Sequence, residues 1–217
     1  MISQKVEKTM KNLNRNNIAA NFVEKKENVV DIIKGILKNG QTVAAGGSMS
    51  LFECRVIELL RNGNYDFADR YKEGLTADEI EKINMKARNA DVYFCSANAI
   101  TESGEIYNVD GRSNRVSAIC YGPKKIVMVV SVNKIVRDLD AAILRVKSIA
   151  APRNCVRLNC DTYCSKKGYC VSLNNKNSQM TDGCDSKDRI CCNYLVSSRQ
   201  RENDRIEVIF VGEDCGF

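Results

Sequence analysis

The chain has 217 residues, 44% of them apolar and 28% charged, and carries a net charge of +6. That suits one well-packed α/β domain with a small appended module. Basic residues interleave with acidic ones, which argues against a nucleic-acid stripe, and no apolar run is long enough to span a bilayer. Histidine is absent, so acid–base chemistry falls to carboxylates, Lys, Cys or Tyr, and any metal site to thiolates and carboxylates.

Met1-Ile-Ser-Gln-Lys leads into a charged amphipathic segment, so the expectation is no secretory leader and a cytoplasmic protein. Residues 3–17 read as a helix with Val6, Met10 and Leu13 on a narrow apolar stripe. Residues 19–24 read as a strand. Residues 28–38 are amphipathic and end at Asn39-Gly40, a left-handed stop. Strand 41–45 then runs through Gly46-Gly47-Ser48-Met49-Ser50 into a helix over 51–61. Such a turn offers free backbone N–H groups to an anion, although a tight turn with a Ser cap reads equally well. No Gly-Lys-Ser/Thr follows, so it is not a Walker loop. Residues 65–74 form a polar connection. Thr76 with Glu79 makes a capping box for a helix through Arg88.

The stretch from Asp91 to Lys134 is the most informative. Two apolar strand candidates, 91–96 and 125–130, flank a middle crowded with polar side chains. It reads either as a β-hairpin with turns at Ser103-Gly104 and Asp110-Gly111 or as a polar pocket at the end of a sheet. A helix is expected over 135–150. Alternating strands and helices predict a mostly parallel sheet, with ligands outside the carboxyl ends of its strands. The Gly46-Gly47 turn, the Asn98 loop and Asn133-Lys134 all follow predicted strands, which favours the pocket.

From Ala151 the composition shifts. Residues 155–192 hold seven of the eleven cysteines and few aliphatic residues. The division expected is an α/β domain over 1–153, a cysteine-rich metal-binding insertion over 154–193, and a strand returning to the domain over 194–217. In a reduced compartment a dense cysteine cluster is most simply a zinc or iron–sulfur site. The spacing Cys164-x5-Cys170-x13-Cys184-x6-Cys191 matches neither a zinc finger nor a ferredoxin run. Cys54, Cys95 and Cys120 sit among apolar residues as small core residues.

Nearly the whole chain resembles the LUD-domain, or lactate-utilisation, family, and its short clostridial-type members in particular. The likeness is carried by Val43-Ala-Ala-Gly-Gly-Ser-Met-Ser-Leu51, Asp69-Arg70-Tyr71, Asn98-Ala-Ile-Thr101, Asn108-Val-Asp-Gly111, Asn114-Arg115-Val116, Tyr121-Gly-Pro-Lys124, Asn133-Lys134 and Arg189-Ile-Cys191. It implies a three-layer α/β sandwich similar to ribose-5-phosphate isomerase, glucosamine-phosphate deaminase and the CoA-transferases. By that likeness Gly46, Gly47 and Ser48 bind an anion. Asn98, Thr101, Asn108, Asn114, Arg115 and Lys134 wall the pocket, with Met49, Gly122 and Asn133 completing the ligand set. Glu102, Glu105 or Asp110 supplies acid–base chemistry. Cys164, Cys170, Cys184 and Cys191 ligate a 4Fe-4S cluster, or zinc. Tyr163 in place of the family's proline, the apparent insertion over 171–183, Ser113 and Ser131 at positions commonly Gly, and the extra Cys192 and Cys215 depart from the pattern.

The function expected is a redox-associated protein of lactate or 2-hydroxy acid metabolism. It would bind a lactate-like acid or a phosphate compound, with an iron–sulfur or flavin protein as redox partner, no nucleic acid, and a homo-oligomer left open. The alternatives are an isomerase or acyl/CoA-transferase-like enzyme with only a structural metal, and a non-catalytic metabolite-binding subunit.

Overall fold

The computed structural model describes residues 2–217. Its main sheet has six strands, all paired in parallel: β1 (Ala19–Val23), β2 (Thr42–Ala45), β3 (Asp66–Ala68), β4 (Val92–Cys95), β7 (Lys125–Ser131) and β10 (Ile206–Val211), in the order β1-β10-β7-β4-β2-β3. A smaller mixed sheet holds β5 (Ala99–Thr101), β6 (Ile106–Asp110), β8 (Ile135–Val136) and β9 (Asn193–Ser197), in the order β8-β5-β6-β9. β4, β7 and β10 are almost wholly apolar because a parallel sheet is covered on both faces.

One face of the main sheet packs on α2 (Val29–Ile36), α3 (Met49–Glu53) and α4 (Val56–Asn62), through Val29, Ile33, Leu51 and Leu60. The other face meets α1 (Gln4–Arg15), α6 (Asn114–Cys120) and the inner side of the small sheet, through Leu13, Ile119, Ile100 and Ile106. The outer side of the small sheet is covered by α7 (Leu139–Arg145), which runs through a π-helical turn at 146–150 into α8 (Ala151–Arg157). Ala99, Tyr107, Val109, Ala142 and Val146 form that third core.

Local chemistry explains the ends. Ser3 caps α1 by accepting from Val6 N. Thr76 and Glu79 make the expected capping box on α5 (Ala77–Ala87). The helix expected over 51–61 is instead two, because Arg55 adopts a left-handed φ of 58° between α3 and α4. The connection expected over 65–74 contains the edge strand β3, too short to show periodicity. The two apolar runs flanking the 91–134 stretch are not arms of one hairpin: β4 and β7 lie side by side in parallel. The hairpin lies between them, β5 to β6, turning at Gly104 with φ +91°. The helix expected from Ile135 begins at Leu139, because Ile135–Val136 pairs with Ile100–Thr101 and Asp138 caps the helix by accepting from Ala141 N at 2.9 Å. It also continues past residue 150 into the cysteine-rich segment.

That segment is short of regular structure. It contains α9 (Tyr163–Lys167), capped by Thr162, and a 3-10 turn at 171–174. Its loop is anchored from below by Lys147, 6% exposed, whose ammonium donates to Ser172 Oγ at 2.9 Å, to Ser178 Oγ at 2.8 Å and to Gln179 O. β9 and β10 then return the chain to the small and the main sheet in turn. No described helix is long and apolar enough to cross a membrane.

Candidate functional site

β2, β4 and β7 run in parallel, so the turns after them open at one edge of the sheet. Gly47, Ser48 and Met49 after β2, Ser96, Ala97 and Asn98 after β4, and Lys134 after β7 line one cavity of about 850 Å³ there. Asp110, Gly111, Arg112, Asn114 and Arg115, between β6 and α6, form a second wall. The cysteine-rich segment supplies a third, with Asn154, Arg157, Cys160, Lys187, Asp188, Ile190 and Cys192. The segment packs directly on the site: Cys192 N donates to Asp110 O at 3.0 Å, and a Cβ on Gly111 would lie 3.2 Å from Ile190 Cα.

The frame of the cavity is Arg115. Its Nε donates to Asp110 Oδ1 at 3.0 Å, its Nη1 to Ser96 O at 2.9 Å and to Asn108 Oδ1, and its Nη2 to Asn98 Oδ1 at 2.8 Å and Val109 O at 3.0 Å. All five N–H donors are consumed inside the protein. Asp110 Oδ2 accepts from Arg115 N and Val116 N, both at 2.9 Å, and so closes the first turn of α6. Asp110 and Arg115 thus lock β6 to α6 and to the β4 loop; Arg115 has no donor left for a ligand, and both oxygens of Asp110 are engaged. Asn98 is held from the far side by Arg145, whose Nη1 donates to Asn98 O at 2.8 Å. Burial holds the Arg145 guanidinium below its ordinary pKa, and Arg153 nearby adds to this.

Gly46 is required by packing. A Cβ there would lie 2.5 Å from the Tyr93 hydroxyl and 3.3 Å from Arg115 Cγ, and Gly46 does not face the cavity. Gly47 does face it, with open space where a Cβ would stand. Ser48 lines the cavity, and its buried Oγ has no hydrogen-bond partner among the described residues. The Asp69-Arg70-Tyr71 motif supports this turn. Asp69 Oδ1 accepts from Tyr71 N at 2.9 Å, Tyr71 OH donates to Gly46 O at 2.7 Å, and Arg70 faces the cavity.

Lys134 lies at the cavity wall but is 2% exposed. Its Nζ donates to Ser50 Oγ at 3.1 Å and to Ser96 Oγ at 3.2 Å. Burial pushes its pKa down to about 8; Arg145 and Arg115 add to this, while Cys215 and Glu53 oppose it. Cys215, buried beside it, is drawn below the ordinary thiol value, first by a hydrogen bond from Cys54 and then by Lys134, against the cost of burial.

The other expected site residues lie elsewhere. Glu102 sits in the β5–β6 turn, which docks on α1: it pairs with Lys8 at 2.9 Å, and its carbonyl accepts from Asn12 Nδ2 at 2.7 Å. Glu105 bonds Thr101 Oγ1 in the same turn. None of these three faces the cavity. Asn108 lies behind Arg115. Asn133 turns outward to Asp214 Oδ1 at 2.9 Å. Gly122, at φ +131°, turns the chain beside the Arg88 carbonyl.

The cavity charge is what residue-by-residue reading missed. Seven cationic and two carboxylate side chains line it. Arg115 and Asp110 cancel, and Arg189 is spent on the Cys191, Cys184 and Thr181 carbonyls. Asp188 accepts from Asp161 N at 2.8 Å. Arg70, Arg112, Lys134, Arg157 and Lys187 remain without a carboxylate within ion-pair distance among the described residues. They are isolated in sequence, so no basic run announced them.

Cys164, Cys170, Cys184 and Cys191 surround one small apolar enclosure beside the cavity, with Tyr107, Val146, Met180 and Tyr194. Its free volume is about 20 Å³, room for about one water. Arg189 Nε donates to Cys191 Sγ at 3.3 Å. Burial raises the Cys191 pKa, and Arg189 opposes this. Cys164 Sγ lies 3.7 Å from Cys155 Sγ, whose pKa burial pushes up. Among the described residues no three or more Cys, Asp or Glu converge on one point as a single metal ion requires.

The comparisons with known proteins agree with this architecture. A crystal structure of a DUF162 family protein from Deinococcus radiodurans is similar in fold, with a TM-score of 0.50 at 14% identity over 98% of this chain and 100% of that one. No curated protein matches the chain. The family model for the LUD domain matches residues 6–211, and the chain therefore belongs to the LUD domain family.

Proposed function

We propose that this LUD-domain protein binds a small anionic metabolite in the basic cavity. The metabolite is a lactate-like 2-hydroxy acid, its 2-oxo counterpart or a phosphate compound, and the protein serves lactate or 2-hydroxy acid metabolism in the cytoplasm. The observation that carries the reading is the surplus of cationic side chains around one cavity, with Lys134 buried in its wall and no carboxylate paired to it. A buried ammonium held by hydroxyls, with the Cys215 thiol and then Glu53 opposing its loss of charge, is costly, and a bound carboxylate or phosphate would relieve that cost. The likeness to the ribose-5-phosphate isomerase and CoA-transferase class that the sequence resemblance implies, a class whose ligands are anions, would fit this reading.

Cys164, Cys170, Cys184 and Cys191 would hold a 4Fe-4S cluster, which would supply one-electron transfer toward an iron–sulfur or flavin partner. Four thiols around one apolar space suit a cluster, in which each iron takes one thiolate. A single zinc ion would need four sulfurs about 2.3 Å from one point, and the sulfurs are spread more widely than that. The enclosure must widen to admit a cluster, and the wall it shares with residues 175–192 carries no helix or strand.

The acyl-transfer and isomerase readings lose support from the same geometry. Of the carboxylate side chains facing the cavity, Asp110 is locked to Arg115 and α6 and Asp188 accepts from Asp161 N, while Glu102 and Glu105 lie away from it. Calorimetric titration with L-lactate, pyruvate and inorganic phosphate tests the metabolite reading. Saturable binding that weakens with salt supports it, and no binding of any of the three refutes it. Anaerobic purification with an absorbance spectrum and metal analysis tests the cluster. Colourless protein with stoichiometric zinc would refute it.

A further inference from the structure

We infer that the Lys134 amine reacts covalently in this cavity, condensing with the carbonyl of a 2-oxo acid to form an iminium. The inference rests on the reading that the cavity receives 2-hydroxy or 2-oxo acids, and it adds a chemical role for one atom.

Three observations carry it. Lys134 is 2% exposed yet forms part of the cavity wall. Its Nζ is held by two hydroxyls, Ser50 at 3.1 Å and Ser96 at 3.2 Å, and by no carboxylate within ion-pair distance among the described residues. The second buried lysine, Lys147, shows what an anchoring lysine looks like here: it donates to two hydroxyls and a carbonyl of a loop it fixes, and it does not face the cavity. Lys134 instead bridges Ser50 of α3 and Ser96 after β4, and it does so at the cavity wall. Serine hydroxyls both donate and accept, so they tolerate Nζ in its neutral and its charged form. Burial lowers the Lys134 pKa to about 8. At neutral pH the nucleophilic neutral fraction is then on the order of a hundredfold greater than for an exposed lysine.

The step balances without a further reactant. The Nζ lone pair attacks C2 of the 2-oxo acid. The N–C bond forms as the carbonyl π pair moves to oxygen, which takes up a proton. Nitrogen loses one proton, the hydroxyl takes up the proton that the Lys134 ammonium gave up on becoming neutral, and it leaves as water while the C=N bond forms, so ammonium and carbonyl give iminium and water. Ser50 and Ser96 accept from Nζ while donating to the Cys215 and Ala97 carbonyls, and rotation of either hydroxyl toward Nζ would let it pass protons during this exchange. The substrate carboxylate adds negative charge to a cavity lined mostly by cationic side chains.

The test treats the full-length protein with pyruvate and sodium cyanoborohydride, maps the adduct by peptide mass spectrometry, and measures pyruvate binding separately by calorimetry. The expected result is a reduced, N-linked carboxyethyl group on Lys134, on the order of tenfold or more above any other lysine, and its loss in Lys134→Arg, which keeps the charge. The map is made on wild-type protein, so it stands even if the variant folds poorly. Pyruvate binding without enrichment at Lys134 overturns the inference and leaves the metabolite reading standing. Neither binding nor adduct overturns both.

Discussion

Arg115 Nη2 lies 2.8 Å from Asp110 Oδ1, with the two side chains 10% and 8% exposed. The pair ties β6, α6 and the β4 loop into one frame, so its role is to shape the cavity. Removing one partner leaves a buried, uncompensated charge. Arg115→Met or Asp110→Asn is expected to cost about 3–5 kcal/mol in denaturant unfolding. The double variant should cost less than the sum of the two, because the charges go together. Additive losses would contradict the paired role.

Gly46 and Gly47 separate packing from binding. Gly46→Ala forces a Cβ against the Tyr93 hydroxyl and should destabilise by about 1–3 kcal/mol, with partial recovery in the Gly46→Ala/Tyr93→Phe double variant. Gly47→Ala meets open space, so its melting temperature should stay near that of wild type while anion affinity falls. Thermal melts beside calorimetric titrations read both.

Lys147 anchors the loop over the cysteine enclosure. Lys147→Met should leave the core folded but open the 172–179 segment. Limited trypsin digestion should then cut at Lys176 at least about tenfold faster than in wild type, as expected when local opening controls cleavage. Equal rates would show that the loop is held by other contacts.

Lys134 gives a pH signature with a defined sign. Its folded pKa, about 8, lies below the ordinary lysine value of 10.5. Below pH 8 both native and unfolded chains carry the charge, and the native state bears the full cost of burying it. Between pH 8 and 10.5 the unfolded chain holds more protons, so this group's contribution to stability rises with pH. Lys134→Met should therefore be more stable than wild type at pH 7, by on the order of 2–3 kcal/mol, and the difference should shrink by pH 10. Denaturant midpoints at the two pH values check it. A variant less stable at pH 7 would mean that the serine contacts outweigh the buried charge.

Much of this architecture was legible in the sequence. The parallel strands show as apolar runs, and Thr76 with Glu79 announces a helix start. Because the turns at Gly47, Asn98 and Lys134 each follow a strand, they fall on one edge. What was not legible depends on contacts across the chain. Glu102 looks like an acid–base candidate until α1 folds over it and Lys8 pairs with it, 94 positions away. Arg115 looks like an anion clamp until five acceptors converge on it. Arg70, Arg112, Arg157 and Lys187 come from four separate segments, so only the fold makes them one basic wall. The split at Arg55 and the short strand β8 are local backbone events too brief to leave a periodicity.

The most direct measurement of the central claim is calorimetric titration of the full-length protein with pyruvate and L-lactate at low and high ionic strength, with Arg157→Ala as the comparison. Arg157 faces the cavity, is exposed, and bonds only the Asn154 side chain of its own helix among the described contacts, so its loss should leave the fold intact. The account predicts saturable binding by wild type that weakens as salt rises and about a tenfold lower affinity in Arg157→Ala, about 1.4 kcal/mol. Absence of binding, or binding indifferent to both salt and Arg157, would contradict it.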